Sequence, residues 1–185
     1  MLKWFIHRKL SAFEREHNYD AGYMHQVLDT DVGGFMKFSR AVDLGKYRKD
    51  VPRDVWVGAS LTSSIAADCG PCTQLGVGFA LAAGVSARTV AAIVGGDEAA
   101  MPRDVALGVR FARAVLARDA AADELREQIE RRWGRRAVLS LAYGIMASQM
   151  YPALKYALGH GKACTRVMVA GQPVAPRRHA VAGAA

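Results

Sequence analysis

The sequence has almost no stretch in which Val, Ile or Thr alternates with polar residues, so it offers little to a β-sheet and predicts an all-α protein. It also lacks a clean apolar run of the roughly twenty residues that a membrane span needs. Residues 75–96 are interrupted by Arg88 and a turn-like Gly84-Val85-Ser86, and residues 137–158 by Gln149, Pro152 and Lys155, so buried helices are expected and no membrane. Cysteine is scarce. There are three, an odd number, and the opening Met1-Leu2-Lys3-Trp4-Phe5-Ile6 has too short an apolar run for a secretory signal, with no small-residue cleavage site after it. This excludes a disulfide-stapled extracellular scaffold and predicts a reducing, cytoplasmic setting. No internal repeat or low-complexity linker marks a second domain. No second paired-cysteine motif completes the four ligands of a closed zinc site, so no metal or other cofactor is expected.

A chain of 185 residues is long enough for one domain with a sizeable core, burying roughly 70% of its unfolded surface. Its formal charge of +8 governs long-range attraction more than fold. Much of that excess lies in Arg131-Arg132-Trp133-Gly134-Arg135-Arg136 and at Arg177-Arg178. No stacking motif accompanies the first cluster, which reads as a solvated face and not a nucleic-acid site, with Trp133 given to the core. Residues 1–48 read as a helical extension packing on the core, broken at Gly33-Gly34; residues 49–165 as the core; residues 166–185 as a basic, disordered tail. Within the core, Pro52 opens a helix running to about Ala67, a second begins near Pro71 and ends at Gly84, and Ser86 caps a short one. Pro102 opens another, Leu125, Ile129 and Trp133 share one face of the next, and a long last helix covers about residues 136–158.

Chemistry is concentrated in Cys69-Gly70-Pro71-Cys72. Two thiols three positions apart can close a small disulfide or hold a metal, and a thiol in the first turn of a helix is favoured as thiolate by the unpaired N–H groups there. Cys72 is expected in that turn and Cys69 just outside it. Asp68 is ambiguous, since a neighbouring carboxylate opposes the thiolate unless it acts as a base. The same string occurs in thioredoxin-like sites, but there it follows a β-strand, whereas here the Ala- and Ser-rich residues before it read as helix. Gly76 and Gly78, each costing about 1 kcal/mol of helix propensity relative to Ala, allow either close helix packing or, with Leu75 and Phe79, an apolar cleft beside Cys72. Cys164, one helical turn from His160, falls in a loop and reads as a buried structural residue.

The order helix, corner, Cys-x-x-Cys at the head of an Ala/Gly-rich helix, then Ala80-Leu81-Ala82-Ala83-Gly84-Val85-Ser86, a short helix and a long apolar one resembles the carboxymuconolactone decarboxylase superfamily in its alkylhydroperoxidase-D-like branch. Arg135-Arg136-Ala137-Val138-Leu139-Ser140-Leu141-Ala142 adds to the likeness, which covers about residues 50–158. The resemblance implies an alkylhydroperoxidase-D-like helical fold, homo-oligomers (a trimer or its multiples) and reduction of organic hydroperoxides. It implies further that Cys72 attacks the peroxide, Cys69 resolves the sulfenic acid as a disulfide, and an external dithiol recycles the pair.

The sequence departs from the family at the proton relay. Active members carry a histidine one helical turn after the second cysteine, where this chain has Gly76, and a glutamate about three turns before the first, where it has Trp56-Val57-Gly58 with Asp54 the nearest acid. His17 or His25 could substitute; otherwise the four histidines His7, His17, His25 and His160 read as surface residues, and His179 lies in the tail. The alternative reading is therefore a non-catalytic or differently catalytic member of the same fold, a small-molecule binding or interaction protein.

Overall fold

The apolar positions that recur with helical spacing do form helices: the computed structural model, which describes residues 1–177, is all-α apart from one short hairpin. In chain order the helices are α1 (Leu2–His17), α2 (Gly22–Thr30), α3 (Val32–Val42), α4 (Arg53–Ala66), α5 (Gly70–Ala82), α6 (Ala87–Gly95), α7 (Arg103–Ala117), α8 (Ala121–Trp133) and α9 (Arg135–Ala157). Their ends follow local chemistry. Pro52 and Pro102 stand just before α4 and α7, the Ser86 hydroxyl accepts from Thr89 N at the head of α6, and Gly84 and Gly96 take left-handed backbone after α5 and α6. Among the described residues no helix is long and apolar enough to cross a membrane.

The middle of the fold is α4 laid against α7, with α9, α5 and α6 around it. The approach is close because glycines face it from both helices. A β-carbon on Gly108 would stand 2.9 Å from the Val55 carbonyl oxygen, and one on Gly58 would stand 3.1 Å from Val105 Cγ1. One buried cluster joins Val57, Leu61 and Ile65 of α4 to Val77, Val90, Ile93, Val105 and Val109. A second joins Val55 and Ala59 to Phe111, Ile129, Leu141 and Ile145, with Leu125 and Trp133 packed against it, so the shared face of α8 points inward as its spacing predicts. In a third, residues of the N-terminal helices pack with Leu75 of α5 and Tyr151, Leu154 and Leu158 at the end of α9.

Two expectations need correction. The break in the N-terminal segment falls at Asp31 and not at Gly33-Gly34. The Asp31 carboxylate caps α3 by accepting from Gly33 N and Gly34 N, and a β-carbon on either glycine would press to 3.3 or 3.1 Å of it. The glycines therefore make room for a cap inside the helix they were expected to interrupt.

The expected disordered tail is ordered over its first part. Val167–Val169 pairs antiparallel with Gln172–Val174, reversing at Ala170-Gly171, both with positive φ (47° and 82°) as a two-residue hairpin turn requires. Val167 and Val169 are buried in the first cluster while Met168 faces out, and Gln74 of α5 clamps the Met168 backbone, donating to its carbonyl (3.0 Å) and accepting from its N–H (2.7 Å). Three residues per strand give too short an alternation for the sequence to betray. Arg178, His179 and the residues after them lie outside the described residues.

The α4–α7 contact gives a stability prediction. Gly108→Val places a branched side chain against the Val55 backbone, which cannot rotate away, and should cost about 3 kcal/mol by overpacking. Urea unfolding should report this as a lower midpoint at unchanged slope; a midpoint equal to the parent's would mean that the helices separate without penalty.

Candidate redox site at the start of α5

Between α4 and α5 the chain turns a corner at Asp68, a non-glycine residue with φ 53°. The left-handed conformation is tolerated by Asp better than by most residues, and here several contacts hold it. The Asp68 carboxylate accepts from Cys164 N (2.7 Å), and its carbonyl accepts from the Tyr156 hydroxyl (3.0 Å). The loop after α9 lies across the next residue: Gly70 N donates to Lys162 O (3.0 Å), and a β-carbon on Gly70 would stand 2.8 Å from Ala163 O. Gly70 is thus required by a crossing strand of backbone. The role left open for Asp68 resolves as anchoring this loop, while Cys164, 1% exposed, is packed in the first core cluster.

Cys69 is the N-cap of α5 and Cys72 lies in its first turn, with Cys72 N directed at Cys69 Sγ (3.4 Å). The two form a disulfide, their Cα atoms 5.3 Å apart. Their surroundings differ: Cys69 is 0% exposed, whereas Cys72 is partly exposed. Of the two residues, only Cys72 has any surface open to solvent.

Cys72 Sγ has a phenol beside it, Tyr19 Oη at 3.9 Å. Tyr19 stands at the α1–α2 corner, and its hydroxyl lies 3.3 Å from that of Tyr23, one helical turn on. Both rings carry the Lys155 ammonium on their faces, at 4.4 and 4.8 Å from the centroids. Lys155 is 3% exposed. Burial pushes its ammonium below the usual lysine value, against the pull of Asp20 and with Lys162 adding to the depression. Burial likewise pushes the Tyr19 phenol up, opposed by its hydrogen bond with Tyr23, and pushes Tyr23 up as well. At neutral pH both tyrosines therefore keep their protons and can donate.

The histidines offered as substitutes stand elsewhere. His17 packs edge-on against Phe79, centroids 5.2 Å apart, and lies 3.9 Å from the Glu16 carboxylate. His25 stacks on His7, their Nδ1 atoms 2.6 Å apart, with Glu14 on its other nitrogen at 3.3 Å. His160 pairs with Gln26 (2.7 Å). Of the two alternatives for Gly76 and Gly78, close packing holds at Gly76: a β-carbon there would meet Leu61 Cδ2 at 2.9 Å, and Leu75 packs with the N-terminal helices. Gly78 faces open space and Phe79 is 47% exposed. Trp56 turns its indole toward Gly144 of α9.

Tyr19, Tyr23 and Lys155 escaped the sequence reading. A signal for them was present: two tyrosines four residues apart, and a lone cation in the apolar run of α9, which served only as an argument against a membrane span. The arginine cluster stands as a solvated face, with Arg131 on Glu127 (3.5 Å), Arg132 on Asp104 (2.7 Å), Arg135 on Glu130 (2.7 Å) and Arg136 on Asp50 (2.6 Å). Among the described residues no group of three or more His, Cys, Asp or Glu side chains is placed to hold a metal ion. No protein-family model, curated protein or solved structure matches the chain.

The buried ammonium gives a pH prediction. With its folded value below the ordinary 10.5, the unfolded chain binds more protons than the folded one between the two values, so stability rises with pH across that window. Lys155→Met removes the term. The stability difference, variant minus parent, should therefore shrink between pH 7 and pH 10 in urea titrations; a constant difference would mean that Lys155 titrates as it does in water.

Proposed function

We propose that the chain is a thiol-dependent oxidoreductase of the alkylhydroperoxidase-D-like type, reducing organic hydroperoxides through a Cys72/Cys69 dithiol–disulfide cycle. The observation that carries this reading is the asymmetry of the pair: a bonded Cys-x-x-Cys at a helix N-terminus whose second residue is partly exposed and whose first is fully buried. An attacking thiol must meet its substrate, and a resolving thiol need only meet the first sulfur.

In the reduced protein the Cys72 thiolate, favoured by the helix N-terminus, attacks the hydroxyl oxygen of the hydroperoxide. The S–O bond forms as the O–O bond breaks, and the alkoxide leaves as an alcohol after taking a proton. Tyr19 Oη, a neutral phenol 3.9 Å from the sulfur, is the donor we assign, in place of the family histidine that Gly76 replaces. Cys69 then attacks the Cys72 sulfenic acid, the S–S bond forms, and hydroxide departs as water with the proton of Cys69. Two electrons have passed from two thiols to the peroxide. An external dithiol returns them by exchange, as a reducing cytoplasmic compartment would allow. Homo-oligomerisation, as a trimer or its multiples, belongs to the same proposal.

A second reading, a small-molecule binding or interaction protein on the same fold, is favoured by the loop seated across Gly70 and by Leu61 closing the space at Gly76. Cumene hydroperoxide with dithiothreitol separates the two. On the first reading Cys72→Ser abolishes consumption, Cys69→Ser that has been reduced and then freed of dithiothreitol stops after about one equivalent with a sulfenic acid trappable by dimedone, and Tyr19→Phe slows turnover about 10²-fold. A parent protein that consumes no peroxide with any dithiol, and whose Cys72 resists alkylation after reduction, leaves only the second.

A further inference from the structure

A cavity of about 350 Å³ opens between the last turn of α4, α6, the second half of α7 and the start of α8, apart from the sulfur pair. Its lining brings together two kinds of residue: the apolar Ile65, Ile93, Leu116 and Leu125, and the cationic Arg110, Arg113 and Arg177. Arg113 is the inner of these. Its Nε is buried with no hydrogen-bond partner among the described residues, and its Nη1 makes only a long contact to Glu98 Oε2 (3.4 Å). Arg110 reaches the other oxygen of the same carboxylate at 3.7 Å. Guanidinium groups are stabilised best by close hydrogen bonds to an anion, and the long Nη1 contact leaves that of Arg113 weakly satisfied. Burial and the neighbouring Arg177 both disfavour the charge on Arg113, opposed by Glu98.

Arg177 is held at the rim by its backbone. Its N–H donates to Val94 O (3.0 Å), and its aliphatic stem lies over Gly96, where a β-carbon would stand 2.9 Å from Arg177 Cδ. The other acid at the wall, Asp119, is occupied in accepting from Ala121 N (2.8 Å) at the start of α8. Counting Glu98, three guanidinium groups against two carboxylates leave one positive charge without a counterion among the described residues. We propose that this cavity binds a small organic monocarboxylate, its carboxylate on Arg113 and Arg177 and its apolar body against Ile65, Ile93, Leu116 and Leu125. The volume lies at the lower end of the range of small-molecule sites, roughly 300–1,000 Å³, which favours a short acid over a long-chain one.

The proposal stands apart from the peroxidase reading and is tested without peroxide. Octanoate and its uncharged analogue octanamide are titrated into the full chain by calorimetry. Octanoate should saturate at one site per chain, octanamide should bind at least about tenfold more weakly, and Arg113→Met should weaken octanoate by at least about tenfold. Arg135→Met, on an exposed side chain paired with Glu130 outside the cavity, should leave octanoate binding unchanged. If Arg113→Met fails to fold, Arg177→Met at the exposed rim makes the same test. Absence of saturation, equal binding of the amide, or unchanged octanoate binding in the arginine variants would overturn the assignment.

Discussion

The corner at Asp68 is the constraint on which the reactive pair depends. α4 is fixed by its glycine-lined contact with α7, and α5 must leave it in a direction that brings Cys69 inside and Cys72 to the surface. A single left-handed residue makes that reversal. What holds it is distant in sequence: the Cys164 N–H, the Tyr156 hydroxyl and the Lys162 carbonyl, all from the end of α9 and the loop beyond it. The C-terminal segment is thus part of the site's framework, and the Gln74 clamp on Met168 ties the same segment to the helix that carries Cys72.

The elements that were legible in the sequence are those whose signals are local. Pro52, Ser86, Pro102 and Gly84 each act within one turn of the backbone, and the structure places helix ends at all of them. Cys69 as a cap and Cys72 in the first turn follow from the same kind of reading. What was not legible depends on partners far along the chain. Gly70 belongs to a crossing loop more than ninety residues away, Gly76 is matched to Leu61, and the Val-Met-Val strand is ordered by a glutamine of α5. Gly33 and Gly34 show how a short-range signal misleads: low helix propensity suggested a break, but the tight Asp31 cap they accommodate begins a helix.

The proton chemistry around Cys72 shows the same division. The resemblance implies a histidine where this chain has Gly76, and a replacement was sought among other histidines because imidazole titrates near neutrality. The fold brings a different kind of group. Tyr19 and Tyr23 come from the N-terminal segment and Lys155 from α9, and the packing of the Lys155 ammonium on both rings joins them. Burial keeps both phenols protonated, so the arrangement can give a proton, while the ammonium on the ring faces favours any negative charge left on oxygen after it has been given. A histidine both gives and accepts near neutral pH; a buried phenol does so less readily, so this environment suits protonation of a leaving alkoxide better than deprotonation of the thiol. Activation of the thiol then rests on the helix N-terminus.

That division of labour puts weight on the least buried part of the molecule. α1 contains no fully buried residue, and Trp4 and Phe5 at its start are largely exposed. The corner it makes with α2 is held by a few polar contacts: Asn18 in left-handed conformation, Ala21 N on the Glu14 carboxylate (2.9 Å), and His25 on the other oxygen of that carboxylate. The Tyr19 ring is anchored more firmly than the helix before it, at 8% exposure, against Phe13 and the Lys155 ammonium. Tyr19 follows α1 directly, whereas the corner that holds the sulfurs is built from α4, α5 and the C-terminal loop. The sulfur pair and the donor proposed for it, Tyr19, are thus carried by different elements of the fold.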